Sequence, residues 1–275
     1  MKNPTRRITS FLKSTNPIHH TILLAAVLLG LIVPISWPLY RMNHADLWLQ
    51  IIAEMHVMVL DILVLGVLMV YINRLSEKRQ RVESAERDIE DLRPLRGQYV
   101  RMKIQSCIKT LTHHGVHSID LNRVHLHRAR LAGVDLSGSD LNGFECSRGS
   151  LAEARLTGCT MNGIALIDTD CFATDFSQCV ANGGNFEGSH LAKARFTGSK
   201  LIFSSFRRCN LSGADFSGAM LLGADFTDAY LLGVDFRGCK DVTLEQLRTA
   251  RLVEGCLFDP SSPHGRARHP MRFDH

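Results

Sequence analysis

The feature that most constrains the fold of this chain is a five-residue repeat between residues 119 and 238. Stepping by five from Leu121 to Phe236 gives 24 positions, and all of them are apolar. The residue two positions earlier is mostly small, and glycine is frequent two positions later. This period is neither that of an α-helix nor that of a flat strand. The chain must therefore turn regularly, with one large and one small side chain pointing inward in each unit.

Units such as 214–218 (ADFSG) and 224–228 (ADFTD) resemble the pentapeptide-repeat family, whose consensus is A(D/N)LxX. The resemblance implies a mainly β fold, a right-handed quadrilateral β-helix with four units per coil and about six coils over 119–240. Residues twenty apart would then be neighbours, about 4.8 Å apart. The predicted structural core consists of Leu121, Leu141 and two ring stacks on opposite sides. The stacks are Phe176, Phe196, Phe216 and Phe236, and Phe186, Phe206 and Phe226.

The same register predicts two outward columns of polar residues. A charge ladder of largely alternating sign comprises Asp135, Arg155, Asp175, Arg195, Asp215 and Asp235. A second column, Asn122, Asn142, Asn162 and Asn182, is expected to form a hydrogen-bonded ladder. We interpret both as structural, because alternating signs avoid like-charge stacking while each exposed ion pair contributes only about 0–1 kcal/mol.

Two apolar stretches before the repeat are typical of transmembrane helices. The first, 21–40, has no ionisable group apart from Tyr40 and matches the roughly 20 residues that a helix needs to cross a bilayer. The second is 50–72, and the short loop between them predicts an antiparallel hairpin. Basic residues precede the first span and follow the second, which places both termini in the cytoplasm. A cleaved signal peptide is the alternative, but no small-x-small cleavage site follows the first stretch.

The second span contains Glu54, His56 and Asp61, a candidate intramembrane polar site. Asp61 lies near the middle of the span, where a charge costs about 2.5–3.5 kcal/mol on insertion scales. Glu54 and Asp61 are seven residues apart and share a helical face, so an oligomer could gather them into an ion-conducting acidic ring. In the alternative interpretation Glu54 reaches the interface, and Asp61 is protonated or hydrogen-bonded to a neighbouring helix.

The segment 73–118 is predicted to be a charged helical connector and an N-terminal cap. Residues 73–92 show a short heptad pattern, which favours either homo-oligomerisation through a coiled coil or a solvated helix. A second amphipathic helix is expected from about Leu95 to Leu111, covering the open apolar end of the β-helix. Five histidines lie nearby, His113, His114, His117, His125 and His127. Their spacing gives a metal site little support, and a pH-sensitive surface is the other interpretation.

Near the end of the repeat, six apolar residues occupy positions that should face outward. They are Ile202, Phe203, Met220, Leu222, Tyr230 and Leu232. An exposed apolar patch usually marks a contact, so these residues are a candidate interaction patch. The sequence offers an internal cover, since Thr243 to Gln246 is typical of a capping box that opens a helix to about Arg251. We therefore expect intramolecular capping ahead of a partner site.

Composition argues against several function classes. Residues 119–238 carry 11 Lys and Arg against 13 Asp and Glu, a net charge of −2, although the whole chain carries +5. A nucleic-acid partner is therefore not expected, and a charge near zero also makes a poor DNA mimic. Six of the eight cysteines fall at inward repeat positions, which predicts reduced core thiols. We expect no metal and no cofactor, and without a nucleophile–base pair or phosphate loop we expect no enzymatic activity.

The sequence thus predicts five regions along the chain. They are a basic N-terminus (1–20), a two-helix transmembrane hairpin (21–72), the connector and cap (73–118), the β-helix (119–240), and a C-terminal cap with a disordered tail (241–275). This arrangement resembles bacterial membrane-associated members of the family. It predicts an inner-membrane scaffold or adaptor for cytoplasmic protein partners. The alternatives are an ion-channel or transporter subunit that uses Asp61 and Glu54, and, disfavoured, a DNA-mimic gyrase-protection protein.

Overall fold

The computed structural model describes residues 46–259, with side chains from residue 53 onward. The chain divides into two compact units between Gln80 and Arg81. The named elements are α1 (Asp46–Leu92), α2 (Gln98–His113), β1 (Tyr230–Leu232), α3 (Leu244–Arg248) and β2 (Leu252–Glu254). The predicted first span (21–40), the basic N-terminus and the tail from residue 260 lie outside the described residues.

Helix α1 runs for 47 residues without a break, joining the second predicted span to the charged connector. Among residues 46–259 one helical segment, Ala53–Leu92, is long and apolar enough to cross a membrane. Its most apolar window has a mean hydropathy of 2.4, and none of that window is buried within the protein. The second predicted span is therefore helical and apolar over the required length. The helix predicted over 73–92 is confirmed as the continuation of the same element.

The repeat folds into a β-helix in which residues twenty apart are paired. Parallel bridges run in this register from Asp120 with Asp140 to Met220 with Lys240. The Leu121 amide donates to the Asp140 carbonyl at 2.8 Å, and the Asp140 amide donates to the Ile119 carbonyl at 3.1 Å. Each coil thus supplies hydrogen-bond partners for the backbone amides and carbonyls of the next coil, as the stacking of a solenoid requires. The β-helix predicted from the period of five is confirmed.

Each five-residue unit ends in a tight turn that requires a left-handed backbone. The residue two positions after the inward centre has a positive φ, as at Gly218 (φ 69°) and Gly223 (φ 65°). The residue before the centre stabilises the turn, as at Asp215, whose carboxylate accepts a hydrogen bond from the Ser217 backbone amide at 2.8 Å. The amide oxygen of Asn210 accepts the Ser212 amide in the same way, at 3.1 Å. This contact explains why the consensus carries Asp or Asn at that position.

The inward positions form a continuous core of stacked side chains. Phe176 and Phe196 lie with ring centroids 4.8 Å apart and planes 5° from parallel. Phe186 meets Phe176 edge to face across the interior at 5.8 Å. The remaining predicted core residues, Leu121, Leu141, Phe206, Phe216, Phe226 and Phe236, are also buried. The ring columns therefore follow the register of the coils.

The inward cysteines are buried and free of disulfides. Cys146, Cys159, Cys171, Cys179 and Cys209 lie in the core, and Cys239 is half-buried. Burial raises the pKa of Cys146 to about 12. Burial likewise raises the pKa of Cys209 to about 12. Cys146 and Cys209 are therefore neutral thiols that pack as small apolar groups.

The N-terminal end of the β-helix is covered by the last turns of α1 and by α2. Ala85 and Ile89 of α1 and Ile104 and Ile108 of α2 belong to the same apolar core as the coils. Lys103 Nζ lies 2.8 Å from the Asp88 carboxylate and ties the two helices together. Helix α2 begins at Gln98 instead of the expected Leu95, because its N-cap residue Gly97 has a positive φ of 129°, which is not helical and favours glycine. The helical cap predicted for this end is confirmed.

The C-terminal end is closed by α3 and β2. Thr243 and Gln246 form the predicted capping box, with the Gln246 amide donating to Thr243 Oγ1 at 3.2 Å. Helix α3 ends at Arg248 instead of the expected Arg251, because β2 begins at Leu252. Strand β2 pairs in parallel with β1, and its register joins Leu231 to Val253. The chain thus adds further backbone pairing to the last repeat coil.

Candidate interaction surface

The six residues of the candidate interaction patch lie on two different sides of the β-helix. Ile202 and Leu222 are twenty residues apart and stand in one column, beside the Met220 column. Tyr230 and Leu232 belong to a unit ten residues further on, which is two sides away around a four-sided coil. The prediction of one continuous patch was therefore wrong. The period of twenty could have predicted this result, because positions ten residues apart are half a coil apart and lie on opposite sides.

The first group, which we call the Phe203 patch, consists of Ile202, Phe203, Met220 and Leu222. Phe203 is 70% exposed and Leu222 is 48% exposed, while Ile202 and Met220 are half-buried. Val242 follows Leu222 in sequence by twenty residues and is half-buried beside the core. Apolar side chains thus cover one side of the last two repeat coils.

The Phe203 patch begins where the asparagine ladder ends. The Asn162 amide donates to Asn142 Oδ1 at 2.9 Å, and the Asn182 amide donates to Asn162 Oδ1 at 3.2 Å. The last acceptor, Asn182 Oδ1, receives the backbone amide of Ile202 at 3.2 Å. The ladder therefore forms over three asparagines, and Asn122 instead donates its amide to Asp120 Oδ1. One side of the rod changes from amide-lined to apolar at residue 202.

Phe203 occupies the left-handed turn position of its unit, with a φ of 56°. The same column holds Gly143, Gly163 and Gly183 in the preceding coils and Gly223 in the next. The Phe203 ring lies over Gly223 so closely that a Cβ at residue 223 would collide with it. The chain therefore carries a bulky exposed aromatic where its own repeat favours glycine.

The C-terminal cap leaves the Phe203 patch open. Gln246 of α3 donates from Nε2 to the carbonyls of Leu221 at 3.0 Å and Ala224 at 2.8 Å. These contacts close the end of the last coil, yet Phe203 remains 70% exposed and Leu222 48% exposed. The expectation that the cap would cover this patch was wrong, because α3 docks on the coil end and not on its wall.

The cap does reach the other two residues of the predicted patch. Tyr230 and Leu232 form the ends of β1, which β2 extends through Tyr230–Leu252 and Leu232–Glu254 pairing. The Arg251 guanidinium lies 5.6 Å from the Tyr230 ring centroid, a cation–π contact. Tyr230 is 39% exposed and Leu232 is 46% exposed. This side of the rod is thus partly covered by the C-terminal segment of the chain, through β2 and Arg251.

The charges of the rod wall neutralise one another. In the charge ladder, Arg155 lies 3.4 Å from the Asp135 carboxylate, and backbone β-bridges place all six members next to one another in order. On another side, Arg208 lies 3.0 Å from Glu187, and Arg207 lies 3.2 Å from Asp225. The wall therefore presents alternating charges without an extended acidic or basic stripe over these columns.

Several aspartates of the wall are held in their ionised form. The Arg237 side chain, through its hydrogen bonds, lowers the pKa of Asp235 even though burial raises it. For Asp225, burial raises the pKa, but hydrogen bonds from the Thr227 hydroxyl and amide and from Arg207 outweigh this effect. The pKa of Asp225 is therefore lower than its ordinary value. These carboxylates act in the turns of the repeat, so they are structural acceptors.

The histidines near the N-terminal cap are dispersed. His125 Nδ1 lies 2.7 Å from Glu145 Oε2 in the next coil, and His117 Nδ1 lies 3.8 Å from Asp135 Oδ2. His113 and His114 make an edge-to-face contact at 5.5 Å. Among residues 46–259, no three His, Cys, Asp or Glu side chains come together in a way that could hold a metal ion.

The candidate intramembrane residues all lie on α1. Glu54 and Asp61 are exposed, and His56 is half-buried. Seven residues separate the two carboxylates, which places them on one helical face about two turns apart. A single helix keeps them separate along its length, so any ring of carboxylates requires several copies of α1.

The fold and its stacking register define a β-helical solenoid. The family model for pentapeptide repeats matches eight copies over residues 118–145, 169–202 and 204–240. These segments lie within the bridged coils, and residues 146–168 between them are bridged in the same register. In this region the chain therefore matches the pentapeptide-repeat family, whose members adopt a right-handed β-helix.

Solved structures that are similar to this chain include two described as pentapeptide-repeat proteins. One from the Arabidopsis thaliana thylakoid lumen is 25% identical, covers 38% of this chain and 70% of its own, and has a TM-score of 0.33. QnrB1, a plasmid-mediated fluoroquinolone resistance protein, is 19% identical, with coverages of 52% and 84% and a TM-score of 0.31. HetL, involved in heterocyst differentiation regulation in Nostoc sp. strain PCC 7120, is 17% identical, with coverages of 53% and 91% and a TM-score of 0.17. No curated protein matches the sequence.

Proposed function

We propose that this chain is a non-enzymatic, membrane-anchored adaptor that presents a rod of about six coils to protein partners. The observation that carries the proposal is the exposed Phe203 patch, an apolar area on the wall of a rigid solenoid. Phe203 is 70% exposed on a side where the preceding coils carry asparagine and glycine. Exposed apolar clusters on regular surfaces usually mark protein contacts.

The interior of the rod supports a binding role over catalysis. The core of the described coils is filled by stacked phenylalanine and leucine side chains, including Phe186, Phe206 and Phe226. Several acidic residues of the wall are engaged in turns and ion pairs, as at Asp225 and Asp235. Function then resides on the outer surface, where solenoids offer long and regular faces to partners.

The anchor in this proposal is a hairpin of two transmembrane helices, 21–40 and 50–72, in the bacterial inner membrane. The apolar stretch of α1 supports the second span. The basic residues before residue 21 and after residue 72 support an orientation with both termini in the cytoplasm. The rod would then meet cytoplasmic proteins close to the membrane surface.

Fewer apolar residues of 73–92 are exposed for oligomerisation than the heptad pattern suggested. Ala85 and Ile89 are buried in the core of the N-terminal cap, and Val82 and Leu92 pack against it. Leu75 remains 51% exposed. A second copy would thus find mainly Leu75 and the charged residues around it.

A channel or transporter subunit is the second candidate function. The observation that favours it is the exposed carboxylate of Asp61 within an apolar helix of spanning length. Placing that carboxylate in lipid costs free energy unless polar partners stabilise it. Its presence in the span therefore indicates either a functional role or a polar neighbour.

Co-purification tests the adaptor function. The tagged full-length chain would be isolated from detergent-solubilised native membranes, beside a chain that ends at Gln80 and so lacks the rod. We expect at least one protein that accompanies only the full-length chain and rebinds it after both are purified. If no protein distinguishes the two chains, the adaptor function is excluded.

A further inference from the structure

The Phe203 patch is framed by positive charge. Lys200, Met220 and Lys240 form one bridged column, so a lysine stands one coil before and one coil after Met220. Both lysines are exposed, and within residues 46–259 neither forms an ion pair. The two lysines therefore stand on either side of the apolar residues, with their backbone positions about two strand spacings, roughly 10 Å, apart.

The backbone of Phe203 gives a second indication of a contact site. Twelve non-glycine residues of the described chain have a positive φ, and Phe203 is the one aromatic among them. A bulky side chain in this conformation costs free energy that glycine avoids. The ring packs over Gly223 but stays 70% exposed, so burial inside the protein does not compensate this cost. Residues held in such conformations cluster at ligand contacts.

The outline of the patch restricts what can bind it. The asparagine ladder bounds it towards the N-terminus, ending at the bond from the Ile202 amide to Asn182. Helix α3 bounds it towards the C-terminus, where Gln246 holds the Leu221 and Ala224 carbonyls. The patch is thus a short, flat strip one side of a coil wide. An α-helix, about 10–12 Å across with its side chains, suits such a strip.

Building on the adaptor function, we propose that the Phe203 patch binds an amphipathic helix of a partner protein whose apolar face is flanked by carboxylates. The apolar face packs on Phe203 and Leu222, and the carboxylates pair with Lys200 and Lys240. Recognition of this kind, a helix read through a few apolar anchors and charged flanks, recurs among peptide-binding surfaces.

An anionic membrane surface fits the patch less well. Asp241 directly follows Lys240, and Asp228 is exposed on the neighbouring side of the rod. Neither carboxylate forms an ion pair within residues 46–259. A flat sheet of anionic headgroups would meet these acids together with the two lysines, whereas a single helix can place its carboxylates against the lysines alone.

A peptide selection tests the proposal. The full-length chain in zwitterionic nanodiscs would be offered a displayed library of helical peptides. Each peptide has leucine fixed at positions i, i+3, i+4 and i+7, with flanking positions drawn from Glu, Gln and Lys. We expect the original chain to enrich Glu-flanked peptides. These peptides should bind the Phe203→Ser variant at least tenfold more weakly. The double variant Lys200→Glu/Lys240→Glu should instead prefer Lys-flanked peptides. The control Leu232→Ser, on the other side of the rod, should bind as the original chain does.

Several outcomes would overturn the proposal. They are no enrichment over the Phe203→Ser chain, selection of neutral or Lys-flanked peptides, or binding that the lysine reversal leaves unchanged. Quenching of Phe203→Trp by brominated anionic lipid in nanodiscs, beyond that of the original chain, would instead place the patch at a bilayer. A co-purifying partner that is retained by Phe203→Ser would leave the adaptor function standing and overturn this proposal alone.

Discussion

Phe176 and Phe196 are twenty residues apart in sequence, yet their rings stack 4.8 Å apart with planes only 5° from parallel. Phe196 also stacks on Phe216 at 4.8 Å and meets Phe186 and Phe206 edge to face. One side chain thus joins three successive coils. Its removal should weaken the whole rod and not just one unit.

We expect Phe196→Ala to destabilise the β-helix by about 3–5 kcal/mol, because it leaves a cavity between two stacked rings. Phe196→Leu is the matched control, since leucine occupies many equivalent centres of the repeat, and its loss should be clearly smaller. Thermal unfolding of the full-length chain in detergent, followed by circular dichroism of the β signal, measures both. Equal losses for the two variants would contradict this account of the stack.

Phe203→Gly should stabilise the rod by about 1 kcal/mol. Glycine adopts the left-handed backbone of this turn without the steric cost that a phenylalanine carries. The ring is 70% exposed, so little buried area is lost. The same thermal measurement applies, with Leu222→Gly as a control at a position without a positive φ. A lower melting temperature for Phe203→Gly would show that the ring stabilises the fold through its contact with Gly223.

Gln246→Ala should loosen the C-terminal cap by about 1–3 kcal/mol, because two backbone carbonyls of the last coil each lose a hydrogen bond from the Gln246 side chain. Those carbonyls belong to Leu221 and Ala224. Hydrogen exchange is expected to accelerate locally across 221–257, with the central coils unaffected. Glu245→Ala, at an exposed neighbouring position of α3, is the control and should change little. Unchanged exchange in Gln246→Ala would show that α3 contributes little to closing the coil.

The ion pair of Asp235 and Arg237 should make stability depend on acid pH. Arg237, 2.6 Å away, lowers the pKa of Asp235, so the folded state holds the carboxylate more strongly than the unfolded chain. This contribution is present above the ordinary pKa of about 3.9 and is lost as the pH falls through the lowered pKa. Asp235→Asn should therefore be less stable than the original chain at pH 7, and the difference should shrink as the pH falls towards 2.

Melting temperatures at both pH values test this expectation. Asparagine is a suitable replacement, because Asn185 and Asn210 already accept the equivalent backbone amides in other units. The turn is thereby kept while the titrating group is removed. A difference between the two chains that is the same at pH 7 and pH 2 would show that the ion pair does not carry the effect.

The channel alternative makes its own prediction about Asp61. If several copies of α1 gather this carboxylate into a ring, the full-length chain in liposomes should conduct cations, and Asp61→Leu should abolish the conductance. Glu77→Gln, beyond the apolar stretch of α1, is the matched control and should conduct normally. A chain without conductance, or a conductance that survives Asp61→Leu, excludes this function. A crosslinked mass measurement in detergent would add the number of copies.

The β-helix was predictable because a solenoid encodes its fold locally. Each unit repeats the same inward centre and the same turn, so the period of five implies the twenty-residue column of Phe176 and Phe196. The polar residue before each centre has an equally local role, as the bond from the Ser217 amide to Asp215 shows. The capping box at Thr243 was predictable for the same reason, since its two partners are three residues apart.

The candidate surface was less predictable because it depends on which residues share a side and on what the ends of the chain cover. Grouping Phe203 with Tyr230 followed their nearness in sequence, whereas their units are thirty residues apart, which is one and a half coils and so places them on opposite sides of the rod. The docking position of α3 is set by long-range bonds from Gln246 to the last coil. The heptad residue Ile89 likewise packs against the coils and not against another chain.

By itself the sequence determined the repeat, its register, the inward residues and the apolar stretch of α1, because each follows from a short period or from composition. Only the tertiary structure decided that Phe203 and Leu222 stay open while Tyr230 contacts Arg251. The physical reason is that exposure is a property of the assembled surface. It depends on where distant segments dock, and no local pattern in 241–259 specifies the side of the rod on which they come to lie.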